Sequence, residues 1–190
     1  MARRMTDIMY PRYTTRLSVR PFVEDDFEAL YAIQSRADVT RFLYWEPHSR
    51  EVVAQALAAR LHSTTLETEG QVLRLAVALG ASGAVIGEVD LHFISAEHGG
   101  GEIGFVFHPD YHGHGYAREA AAEMLKIGFE TCRLHRIVGR CDARNVASAH
   151  LMERLGMRRE AHFLSNKFVK GEWCDEYVYA LLAEEWLALA

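Results

Sequence analysis

Residues 101–129, GEIGFVFHPDYHGHGYAREAAAEMLKIGF, constrain the fold more than any other stretch of the chain. Residues 102–108 form a short apolar run rich in β-forming residues, centred on Phe105, Val106 and Phe107. A turn, Pro109-Asp110-Tyr111, leads into the loop His112-Gly113-His114-Gly115. From Tyr116 the pattern becomes helical: Ala117, Ala120, Ala121, Met124, Leu125 and Gly128 recur at three- and four-residue spacing. The order is therefore strand, glycine-bearing loop, helix. The first turn of a helix has amides without intrahelical partners, and the helix dipole puts partial positive charge there. Gly113 and Gly115 carry no Cβ, so an anion can come close to the backbone. A diphosphate suits such a place. The plainer alternative is a glycine turn that only starts a helix.

The spacing narrows the guest. No Gly-Lys-Ser/Thr follows, so this is not a P-loop, and an ATP-binding reading is disfavoured. The third glycine of a dinucleotide fingerprint is also missing. The segment His112-Gly113-His114-Gly115-Tyr116-Ala117 does resemble the acetyl-CoA motif of the GNAT N-acetyltransferase superfamily, Gln/Arg-x-x-Gly-x-Gly/Ala. His112 stands where that family has Gln or Arg, a departure that leaves the backbone cradle intact. The longer string Tyr-His-Gly-His-Gly-Tyr-Ala-Arg-Glu-Ala looks like the RimJ/RimL-type branch, the ribosomal-protein alanine and serine N-acetyltransferases. The likeness runs from about Thr15 to Trp186. It implies an α/β (α+β) fold with a mixed, mostly antiparallel central sheet of six to seven strands and helices on both faces. It also implies acetyl-CoA as co-substrate, with another acyl-CoA fitting the same cradle.

Composition agrees with one soluble domain. The chain has 190 residues, 49% hydrophobic and 25% charged, enough for one sizeable core. No uncharged apolar run is long enough to span a membrane, and the N-terminus has no apolar segment to make a signal peptide. Three cysteines, Cys132, Cys141 and Cys174, show no metal-type spacing and fit a reducing cytoplasm. The formal net charge of −5 argues against nucleic acid and sits better with a cationic amine.

The rest of the chain reads as one domain without repeat or linker. Residues before about Arg12 carry no period and are expected to be a loose arm. Strands are expected over 17–22, 72–79, 84–93, 102–108, 135–140, 157–168 and 174–182. Helices are expected after Glu24, after Asp38, over 50–61, from Tyr116, from Val146 and after Ala183. In the strand over 84–93, Ile86, Glu88, Asp90 and His92 share one face. That face is either the solvated side of the strand or part of a site.

Acyl transfer from a thioester to an amine needs donors for the carbonyl, a base for the amine and an acid for the departing sulfur. The likeness puts the donors on Phe105, Val106 and Phe107, in a wedge where this strand splays from the next. Each well-aimed donor contributes roughly 3–4 kcal/mol to the barrier reduction. Glu102, on the strand face of Gly104 and Val106, is the first candidate base, because apolar neighbours such as Ile103 raise a carboxyl's pKa towards neutrality. Glu88 on the neighbouring strand is the second. Asn145 and Ser148, three residues apart on one side of a first helical turn, resemble the branch's Asn-x-x-Ser. There the asparagine contacts the pantetheine arm and the serine is the proton donor to sulfur. Both would equally serve as helix-capping residues.

Tyr44 and Trp45 precede the break at Pro47, in the region that covers the acceptor site in this superfamily; as large aromatics they also fit a core. Trp173-x-Asp175 in the last hairpin looks like the same branch, and Asp175 is a candidate contact for a cationic acceptor. His108, His112 and His114 lack a completing ligand set, so no metal is expected. No cysteine has a paired base in sequence, which favours direct transfer. The leading reading is an N-acetyltransferase acting on a protein N-terminus or a small amine, possible as a homodimer. The alternative is a non-catalytic CoA-binding sensor or docking module.

Overall fold

The computed structural model describes residues 8–189. They build one eight-stranded sheet in the order β1-β2-β3-β4-β5-β6-β8-β7. The strands are β1 (Arg12–Tyr13), β2 (Leu17–Arg20), β3 (Val72–Leu79), β4 (Val85–Ser95), β5 (Gly100–Phe107), β6 (Arg136–Asp142), β7 (Arg158–Val169) and β8 (Glu172–Leu182). All neighbours are antiparallel except β5 and β6, which are parallel. The fold is therefore the α/β mixed-sheet class expected. The strand beyond the expected seven is β1, whose two residues are too few to show any alternation. Residues 1–7 of the expected arm lie outside the described residues. Ile8 and Tyr10 pack against the core, and the Tyr10 hydroxyl donates to the Thr64 carbonyl at 3.0 Å.

Six helices cover the sheet: α1 (Phe27–Gln34), α2 (Ala37–Thr40), α3 (Arg50–Arg60), α4 (Tyr116–Lys126), α5 (Val146–Arg154) and α6 (Ala183–Leu189). Strand alternation decides which go where. Leu75, Val89, Leu91, Ile103 and Ile137 point to one face and meet Ala121, Met124 and Leu125 of α4 and Leu151 and Met152 of α5. Gly128, in the wider turn that ends α4, lets the helix settle on the sheet: a Cβ there would lie 2.5 Å from Ile137 Cδ1. Ala76 points to the opposite face and meets Leu30 of α1 and Val53 and Leu57 of α3. That second face is less apolar, because Arg74, Glu88, Asp90 and Arg140 share it. The polar side of β4 is thus covered rather than solvated: Glu88 is only 5% exposed.

Candidate active site

The site begins where two strands part. β5 stays in register with β4 as far as Gly87 opposite Phe107, and β6 stays with β8 as far as Asp142 opposite Glu176. The β5–β6 pairing, however, ends at Ile103 opposite Gly139. Each strand follows its outer neighbour, and a wedge opens between them. The His108 amide donates to the Ile86 carbonyl at 2.9 Å. In an antiparallel ladder such bonds alternate, so Val106 and Gly104 also turn their backbone groups to β4. Phe105 and Phe107 therefore turn theirs into the wedge.

At the far end of β5 comes the glycine loop. The His112 ring donates from Nε2 to the Phe107 carbonyl at 3.2 Å, which ties the loop to the strand. Gly113 and Gly115 have φ of +78° and +80°, the left-handed region that disfavours side chains. A Cβ on Gly113 would meet nothing within 4 Å, so the space above this backbone is open. Gly115 is the N-cap of α4, where the first amides of the helix have no intrahelical partners. Arg16 braces the loop from the other side. Its Nη1 donates to the His114 carbonyl at 2.8 Å, its Nη2 lies 2.7 Å from Glu119, and its guanidinium sits over the Tyr116 ring at 4.6 Å. Burial pushes the Glu119 carboxyl up, but hydrogen bonds from Thr14 and Arg16 outweigh it and hold it below its usual value. A bare, open loop and outward amides along β5 fit the diphosphate and the extended arm of a coenzyme A thioester.

Beyond the wedge, on the α1–α3 face, lies a cleft of about 280 Å³. Tyr44 and Trp45 wall it, together with Phe105 and Val106; Asn145 and Ser148 close it from α5. The two aromatics are held on the link between α2 and α3. Trp45 stacks on His48 with ring centroids 4.3 Å apart, and the Tyr44 hydroxyl donates to Glu176 at 2.8 Å. Burial, then the Glu176 carboxylate, raises the Tyr44 pKa. Glu176 itself is 1% exposed and is also bound by Asn166 and Arg140. Both oxygens of Glu88 are held by Arg60, at 2.7 and 2.8 Å. Asp90 lies across β5: a Cβ on Gly104 would come within 2.5 Å of its Oδ1, which already faces His92 Nε2 at 3.0 Å. Burial, then the charges of Asp142 and Glu176, pushes the Cys141 thiol up to about 12. It stays protonated at neutral pH, where a thiol is a poor nucleophile.

Of the residues singled out in the sequence, Tyr44, Trp45, Glu88, Phe105, Val106, Asn145 and Ser148 meet in this cleft. Asn145 caps α5 by accepting from the Ser148 amide at 3.2 Å, so capping and a place in the cleft coincide. His112, Gly113, His114 and Gly115 form the separate loop, and Tyr116 and Ala117 open α4 directly after it. Phe107 is buried between the two regions. Glu102 lies outside the cleft lining, 3.3 Å from Arg140, with its side chain a third exposed. Asp175 sits apart as well, accepting from the Ser165 amide at 2.8 Å and facing His162 at 3.1 Å. Sequence reasoning missed Arg16 and Arg60, and it read Glu176 beside Asp175 as a contact for a cationic acceptor, whereas its carboxylate is taken by Tyr44, Arg140 and Asn166. Arg16 and Arg60 each act on a carboxylate 28 or more positions away, and local spacing carries no signal for that. Among the described residues, no group of three or more His, Cys, Asp or Glu is placed to hold a metal ion, and no helix is long and apolar enough to cross a membrane.

Residues 16–158 match the acetyltransferase (GNAT) domain family. The chain belongs to the GNAT acetyltransferase family. As a member it is an N-acetyltransferase that uses acetyl-CoA to acetylate an amine. It is 36% identical over 173 residues to the uncharacterized N-acetyltransferase YnaD of Bacillus subtilis, covering 91% of this chain and 97% of that one. A GNAT-family acetyltransferase from Bacillus anthracis superposes with a TM-score of 0.83 at 34% identity, over 91% of this chain and 98% of the other. The spermidine N-acetyltransferase of Vibrio cholerae, solved with CoA and spermine, shares the fold at a TM-score of 0.78 and 22% identity, over 92% and 99% of the two chains.

Proposed function

We propose that the chain, working as one domain, transfers the acetyl group directly to a primary amine, with donor and acceptor held together. The observation that carries this reading is the double position of Phe105, whose backbone faces the wedge while the residue also lines the cleft. Acetyl-CoA supplies the thioester carbonyl as electrophile; another acyl-CoA would supply the same group. The backbone of Phe105 and Phe107 aligns the coenzyme's arm, Asn145 contacts it, and the amides of the loop from His112 to Ala117 take its diphosphate. Ser148 gives a proton to the departing sulfur. Tyr44 and Trp45 flank the acceptor, and Asp175 stands at the rim. Glu102 and Glu88 are the carboxylates proposed to receive the amine's proton. Arg140 and Arg60 already occupy them, so each acts through water. The protonated Cys141 thiol supports transfer without an acyl-enzyme.

The RimJ/RimL-like loop favours a protein N-terminus as acceptor; the family's spermidine acetyltransferases favour a small amine. We place the enzyme in the cytoplasm. A homodimer would cover the exposed Phe163, Leu164, Phe168 and Trp173 of the last hairpin. Initial rates measured with both reactants varied test the direct route. Intersecting reciprocal plots are expected, and parallel lines would reject it.

A further inference from the structure

Three arginines line the acceptor cleft, and they are not equivalent. Arg60 is bound to both oxygens of Glu88, and Arg140 lies between Glu102 and Glu176. Arg74 is partly buried as a residue, and its guanidinium, which keeps contact with solvent in the cleft, has no hydrogen-bond or ion-pair partner among the described residues. A guanidinium that no side chain of the cleft already occupies is available to a ligand, and its planar fork matches a carboxylate.

Its place in the sheet says where that carboxylate belongs. Arg74 on β3 is directly opposite Asp90 on β4, and Asp90 is directly opposite Gly104 on β5. A cation, an anion and a bare glycine thus follow one another across three strands, each step about 4.8 Å. The wedge lies just beyond. Asp90 rests over Gly104, one residue from Phe105; Glu88, opposite Val106, is equally near along the strand, but Arg60 holds both its oxygens.

We infer that the acceptor is an amine bearing a carboxylate a few ångströms from its nitrogen, as in an amino acid. Asp90 receives the ammonium and Arg74 the carboxylate. This rests on the acetyl-transfer reading above and narrows its substrate class. A polycation laid in the same direction would set its second ammonium against Arg74, a like-charge contact that selects against it.

The test uses thiol release with acetyl-CoA over matched amines: glycine, β-alanine and the common amino acids, their carboxamides, and spermidine. The wild-type chain should prefer the carboxylate member of its best pair by about 10- to 100-fold in kcat/KM. Arg74→Met should erase that preference, mainly through KM, and Arg74→Lys should restore part of it. Preference for amides or spermidine, or a preference that survives Arg74→Met, would overturn the inference while leaving acetyl transfer in place. Calorimetry with acetyl-CoA separates the remaining cases. Binding without release on any amine of the panel also overturns the inference. Absence of binding removes the acetyl-transfer reading beneath it.

Discussion

The two halves of the site are built from different materials. The half proposed for the coenzyme, wedge and loop, is made of backbone: amides of β5, two glycines at positive φ and the start of α4. The half proposed for the acceptor is made of side chains gathered from α1, the link between α2 and α3, α3, β3, β4, β5, β6 and the start of α5. Backbone chemistry is the same for every residue, so the first half needs only a local pattern of shape. The second half needs particular charges to meet across long separations, as Arg60 meets Glu88 and Tyr44 meets Glu176. One half can therefore stay fixed while the other is rewritten.

Substitutions can break this contrast, the largest expected effect first. Gly113→Trp fills the open space over the loop and should weaken acetyl-CoA by roughly 1,000-fold, the equivalent of two or three charge-assisted hydrogen bonds. Calorimetry checks this, and the melting temperature should fall only by the strain of a side chain at positive φ. Unchanged affinity would mean the loop does not hold the coenzyme. Arg60→Met does the opposite: it leaves Glu88 buried and unpaired, and should cost about 3 kcal/mol of stability in urea unfolding. Acetyl-CoA affinity of the folded fraction should hold.

Ser148→Ala sits where the halves join and should lower kcat about 10- to 100-fold with little change in coenzyme affinity. Wild-type turnover would reject its role as proton donor. The smallest effect is expected from Glu119→Gln, about 1 kcal/mol at neutral pH from the weakened brace on the loop. Its pH dependence has a definite sign. The Glu119 and Asp142 carboxyls are held below their usual values by Thr14 and Arg16 and by Arg144, against the opposing push of burial. Their stabilisation is fully present above the unfolded carboxyl pKa of about 4 and is lost as pH falls through the lower folded values. Melting curves from pH 7 to pH 3 should fall less steeply for Glu119→Gln than for the wild-type chain.

The same division explains what could be read without coordinates. The strand, the glycine loop and the helix after it all declare themselves within 29 consecutive residues, so this strand-loop-helix geometry was legible from spacing. Asn145 and Ser148 were legible for the same reason, because a helix start fixes both. The polar stripe of β4 was legible too, but not its fate. Alternation showed that Glu88 and Asp90 share a face; only α3 packing over it shows that Arg60 takes Glu88 and that the face is enclosed. Glu102 illustrates the converse. Its strand face was read correctly, yet Arg140, a neighbour only after β6 pairs with β5, decides what its carboxylate meets.

The roof of the cleft is fastened to the last hairpin. Lys170, in the turn between β7 and β8, donates to the Thr40 carbonyl at 2.7 Å, and Tyr44 is bound to Glu176 on β8. That roof is therefore anchored by residues about 130 positions downstream. In order of synthesis the glycine loop and α5 emerge before either anchor of that roof, so the cleft can close only once β8 has been made.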